Sequence, residues 1–140
     1  MTTARVPQAG AIAVDLRGAT PLFLIVAAKK TQGHWVFPKG HLKRQKPESL
    51  EHAALRELKE EAGVRGDIIG SLGSLEFNSA GEHVSVAYFL VSVRELTEAE
   101  EERARQWLDY PAARQQLSHE NARTLLDKAV DVLRARALSR

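Results

Sequence analysis

Pro21, Leu22, Phe23, Leu24, Ile25, Val26, Ala27 and Ala28 form a nearly unbroken apolar run. Successive side chains of a strand point to opposite faces, so a strand apolar at every position must be covered on both sides. The covers are visible in the sequence. Residues 47–62 read as a helix with an apolar stripe of Leu50, Ala54, Leu58 and Ala62, closed by Gly63. Pro47 suits the entry of such a helix, and Glu48 would sit near its positive end. Residues 120–137 read as a second helix, striped by Leu125, Leu126, Ala129, Val130, Leu133 and Ala137. Residues 110–117 read as a shorter helix, and 8–16, 34–37, 67–77, 83–93 and 106–108 as further strands. One early and one late helix around such strands suggest an α/β class fold, an α/β/α sandwich. At 140 residues one domain over 1–140 is expected, with about the first six residues a flexible tail.

The sequence has no cysteine, so it has neither disulfides nor thiolate metal sites. No apolar run is long enough to span a membrane, and the first residues lack the apolar core of a secretory signal. A cytoplasmic location is expected. The net charge is only +2, but residues 1–47 carry eight Lys or Arg against one acid, Asp15. A basic first third suits an anionic ligand. No helix or repeat gathers that charge into a groove-sized patch, so a stable nucleic-acid partner is not expected.

Glu57, Glu60 and Glu61 fall within one helical turn and share a side. Such a trio is either a solvated, mutually repelling face or a set of hard oxygen ligands for a divalent cation, magnesium or manganese rather than zinc. The surroundings favour the second reading. Glu48 is followed after seven residues by Arg56, Glu57 and Leu58, then after one residue by Glu60 and Glu61, and after one more by Gly63 and Val64.

This pattern resembles the signature of the Nudix hydrolases at every position over residues 48–64. The family's opening glycine would fall at 42, where this chain has Leu42; the nearest glycine is Gly40, so the loop to Glu48 is two residues longer than the family's. The resemblance implies the Nudix α/β/α sandwich, with a mixed β-sheet between helices, over about residues 6–138. It also implies metal-dependent attack of water on a phosphoanhydride. Glu57, Glu60 and Glu61 would be metal ligands, with the backbone near Gly40 as a further one. Arg56 would orient the glutamates and Glu48 would brace the loop. Spacing does not name the general base; a helix glutamate or Glu100, Glu101 or Glu102 are the candidates.

The segment His34, Trp35, Val36, Phe37, Pro38, Lys39, Gly40 and His41 resembles the branch acting on diadenosine polyphosphates and diphosphoinositol polyphosphates. Lys39 is then a phosphate contact, its alternative being a solvated loop lysine. His34 is either a phosphate contact or a packing residue. Tyr88 either stacks on a nucleobase or belongs to the core. Trp107 looks structural. Lys43, Arg44 and Lys46 in the long loop either serve solubility or capture a highly anionic, small phosphorylated substrate. The reaction expected first is cleavage of a nucleoside-diphosphate-linked compound, foremost a dinucleoside polyphosphate. The alternatives are a nucleoside triphosphate or RNA 5′ pyrophosphohydrolase, and a nucleotide sensor that has lost catalysis. A sensor would be marked by missing motif acids, and none is missing.

Overall fold

A computed structural model describes residues 5–43, 47–79 and 81–138. The strands are β1 (Arg5–Asp15), β2 (Leu22–Ala27), β3 (Trp35–Val36), β4 (Lys39–His41), β5 (Val64–Ser79), β6 (Glu82–Leu96) and β7 (Arg105–Leu108). The helices are α1 (Leu50–Ala62), α2 (Tyr110–Gln116) and α3 (Glu120–Leu138). The expected tail lies mostly outside the described residues, and Arg5 already opens β1.

The main strand path is β3-β2-β1-β6-β5, with β4 joined to β1 and β7 to β2. β1 and β6 run parallel from Arg5↔His83 to Val14↔Ser92, and the other pairs are antiparallel, so the sheet is mixed. Side-chain parity along β1 explains the two layers. Ala9, Ala11 and Ala13 face α1, where Ala53, Ala54, Leu58 and Ala62 pack closely on small side chains. Ile12 and Val14 point the other way, with Phe23, Ile25, Val86 and Leu90, against Leu117, Leu125, Leu126 and Ala129 of the α2–α3 side. The apolar run of β2 is split likewise, Leu24 and Val26 toward α1 and Phe23 and Ile25 away from it.

The sheet forks at β1. β1 pairs with β2 only at Val14↔Phe23 and Asp15↔Leu22. Further back its partner is β4, through Gln8↔His41, Ala9↔Gly40 and Gly10↔Lys39. β2 meanwhile pairs with β7 from Phe23↔Leu108 to Val26↔Arg105. The fork sets β4 beside α1.

Two details of α1 differ from the sequence reading. Ser49 caps the helix, its Oγ accepting from His52 N at 3.1 Å, so the helix starts at Leu50 and Glu48 lies ahead of it. Leu50 stands in the opening turn and is 37% exposed, so it is not part of the buried stripe. Gly63 ends the helix at φ 66°, and a side chain there would strike the backbone of Thr97.

Candidate functional site

Arg56 is the hub of α1's outer face, and its donors are fully engaged. Nε and one terminal nitrogen grip Glu48 at 2.7 and 2.9 Å. The other terminal nitrogen donates to Glu57 at 2.9 Å and Glu60 at 3.1 Å, and the His41 carbonyl accepts at 2.9 Å. Glu48 also accepts from Lys43 N at 3.0 Å, so it ties the loop before α1 to the helix. The bonds from Arg56 hold the Glu48 carboxyl at a pKa of about 2.

Glu57 lies directly against β4. A Cβ on Gly40 would collide with the Glu57 carboxylate, so only glycine permits this approach. Burial raises the Glu57 pKa, and the Arg56 bond opposes the rise. Glu60 is the outermost of the three, its side chain 30% exposed.

Glu61 is in a different environment. It is 2% exposed; one oxygen pairs with Arg103 at 2.8 Å, and the other, Oε2, has no hydrogen-bond partner. Burial pushes its pKa up to about 8 despite Arg103. Arg103 reaches Glu101 at 3.4 Å, and Glu101 pairs with Lys29 at 2.6 Å. Lys29 follows β2, whereas Glu101 and Arg103 come from the connector between β6 and β7. This connector is docked on the end of α1 by the amides of Glu100 and Glu101, which donate to the Glu60 carbonyl at 2.9 and 3.1 Å. Of the three connector acids considered as base, Glu101 is the one whose charge bears on both Glu57 and Glu61.

Glu57, Glu60 and Glu61 therefore sit on one turn but not as a finished cage. Among the described residues no three acids or histidines are grouped as a metal site, because Arg56 holds two of the glutamates and Arg103 the third. The donor set nevertheless fits a hard cation. It is all oxygen, it includes a buried carboxylate oxygen without a partner, and the Gly40 backbone abuts Glu57.

The remaining candidates separate. Lys39 donates from Nζ to Gln8 Oε1 at 3.2 Å. Desolvation lowers its pKa, opposed by the nearby Glu61. His34 is not at this cluster: its ring packs edge-on to His119 at 5.1 Å, beside the α2–α3 junction. Tyr88 is 5% exposed, its ring over Gly10 in the core layer away from α1, so the core alternative fits it and base stacking does not. Trp107 packs against the α1-side core. Lys43 is exposed, and Arg44 and Lys46 lie outside the described residues. Four residues of this region escaped the sequence reading: Gln8, Lys29, His41 and Arg103. Only Gln8 carried a signal, a polar residue in an inward position of an otherwise apolar strand.

Among the described residues no helix is long and apolar enough to cross a membrane. The NUDIX domain model matches residues 5–128. Nudix hydrolase 4 of Arabidopsis thaliana is 35% identical over 97 residues, 66% of this chain and 45% of that protein. Diphosphoinositol polyphosphate phosphohydrolase 3-alpha of Mus musculus is 34% identical over 89 residues, 60% of this chain and 52% of that protein. This chain thus spans about half the length of these two relatives. Among solved structures, a C. elegans Ap4A hydrolase binary complex superposes with a TM-score of 0.77 at 25% identity, covering 93% of this chain and 98% of that one. With the family model matched over most of its length, and with this sheet and motif helix, the chain belongs to the NUDIX domain family.

Proposed function

We propose that the chain is a pyrophosphohydrolase that cleaves a phosphoanhydride with a divalent cation, magnesium or in its place manganese. The substrate is a nucleoside-diphosphate-linked compound, foremost a dinucleoside polyphosphate. The observation that carries this reading is Glu61: a buried carboxyl one turn from Glu57 and Glu60, with one oxygen paired to Arg103 and the other without a partner, a gap that a bound cation would fill.

Glu57, Glu60, Glu61 and the Gly40 backbone would hold the ion, which when bound neutralises phosphate charge and activates water. Arg56 orients Glu57 and Glu60, and Glu48 fixes Arg56. Glu101 is the candidate base whose charge bears on both inner glutamates, although its pairing with Lys29 and Arg103 lowers its pKa and weakens it as a base. Lys39 binds phosphate oxygens at the β4 edge. The preference for a dinucleoside polyphosphate is supported by the likeness to the C. elegans Ap4A hydrolase and by the cations of residues 39–46. A cytoplasmic location accords with the lack of cysteine.

The test is incubation of the purified chain with magnesium and, separately, diadenosine tetraphosphate, a nucleoside triphosphate and a 5′-triphosphorylated RNA, with products identified by mass. Cleavage of the first well above the others is expected. Preference for the triphosphate or the RNA would overturn the substrate assignment, and cleavage of none would overturn the hydrolase reading.

A further inference from the structure

Glu61 and Gln8 are the buried polar or charged side chains among the described residues. Glu61 is accounted for above; Gln8 is not. It is 7% exposed, in a strand whose neighbouring inward positions are apolar, and a buried amide is costly unless both ends are bonded. Both ends are. Oε1 accepts from Lys39 Nζ at 3.2 Å, and Nε2 lies 3.2 Å from His41 Nε2. Gln8 pairs with His41 and Gly10 with Lys39 across the β1–β4 ladder, so the side chains of Gln8, Lys39 and His41 share one face, with the Tyr88 ring over Gly10 beside them.

The chemistry of these three groups fixes their orientation. An ammonium only donates, so the amide oxygen must face Lys39 and the amide NH₂ must face His41. His41 Nε2 must then accept, which leaves the proton of the neutral ring on Nδ1. His41 is exposed, and among the described residues Lys39 donates to no other group than Gln8. Lys39 therefore keeps two N–H groups and His41 one for a ligand. Lys39 feels the charge of Glu61. A bond from Arg56 to the His41 carbonyl ties the cluster to the hub.

We propose that Gln8 is a positioning residue for polyphosphate recognition: its buried amide holds Lys39 with one end and sets the His41 tautomer with the other, presenting two fixed donors to phosphate oxygens. A free lysine loses rotamer entropy when immobilised, and anchoring it in advance lowers that cost on binding. The inference deepens the phosphate role given to Lys39 above and rests on that reading.

The test uses the full chain and the variants Gln8→Leu, Gln8→Glu, Lys39→Ala and Gln8→Leu with Lys39→Ala. Long-range ¹H–¹⁵N spectra at about pH 8.5, above the ordinary histidine range, read the His41 tautomer without any turnover. Wild type should carry the proton on Nδ1, and Gln8→Glu, whose carboxylate can only accept, should move it to Nε2. Titration with inorganic tripolyphosphate should show affinity weakened roughly tenfold by Gln8→Leu, the scale of one bond to a charged group. Adding Gln8→Leu to Lys39→Ala should weaken it little further. With a cleaved substrate, Gln8→Leu should raise KM at nearly constant kcat. An unchanged tautomer in Gln8→Glu, or additive losses in the double variant, would overturn the proposal. Should Gln8→Leu fail to fold, the Gln8→Glu spectrum still decides it. Should the wild type cleave no substrate, the hydrolase reading fails while the tautomer and tripolyphosphate results still judge Gln8.

Discussion

Arg56 and Arg103 both pair with motif glutamates, yet their surroundings are opposite. Around Arg56 the guanidinium donors all have partners, and Glu48 is held deep in its ionised form. Around Arg103 the pairing is incomplete: Glu61 Oε2 and Arg103 Nε are both buried without partners. A satisfied buried network fixes geometry, whereas a half-satisfied one is costly unless something else completes it. On the proposed reading, the first region holds its carboxylates in place and the second is where a bound cation would complete the network. Variants in each region should therefore fail in different ways.

The largest effect expected is on turnover. Glu61→Gln should lower kcat by at least ~10²-fold, the scale of losing a main electrostatic stabiliser. Above about pH 8, where the wild-type carboxyl is ionised, the metal-free variant should be at least as stable as wild type, because a neutral amide is easier to bury; steady-state kinetics and a melting curve check both. Arg56→Ala should break the scaffold instead. Stranding Glu48 and Glu57 should cost about 3 kcal/mol in chemical denaturation, as when one partner of a buried ion pair is removed.

These two regions were not equally legible in the sequence. Spacing placed Arg56 and the three glutamates on one turn, because contacts within a helix repeat at fixed intervals; that Glu48 braces the loop is implied only by the family resemblance. Arg103 lies more than forty residues from Glu61, in a connector rich in charge, where no local period says which cation turns inward. The layers followed from parity and stripes, but β4 did not. Three residues of lysine, glycine and histidine after a proline carry no strand pattern, and β4 exists because the fork in β1 leaves a ladder to fill. Leu50 looked like core by period alone; its place in the opening turn of α1 exposes it.

The junction between the regions can be probed at β4. Gly40→Ala would push a methyl group into the Glu57 carboxylate, so kcat should fall about tenfold or more, as for small misplacements of reacting groups. Thermal stability should change less than in Arg56→Ala. The smallest effect is expected outside both regions. Lys43→Ala with Arg44→Ala and Lys46→Ala should raise KM more for a tetraphosphate-linked substrate than for a diphosphate, with kcat little changed and the difference shrinking in salt. Equal effects on both substrates would reduce the loop to a solvated surface.

On the proposed reading Glu61 is a buried carboxyl whose ionised form a cation completes, and melting temperature against pH, with and without manganese, tests this most directly. Burial raises the Glu61 pKa from the ordinary 4.5 to about 8 in the folded chain, so the fold binds this proton more tightly than the unfolded chain does. The stability linked to Glu61 is therefore fully present below its ordinary pKa and is lost as pH rises through about 8. Relative to Glu61→Gln, the metal-free wild type should lose melting temperature across that window, and manganese should restore it at the alkaline end while acting weakly on the variant. Parallel pH curves for the two proteins, or equal manganese shifts in both, would contradict the account.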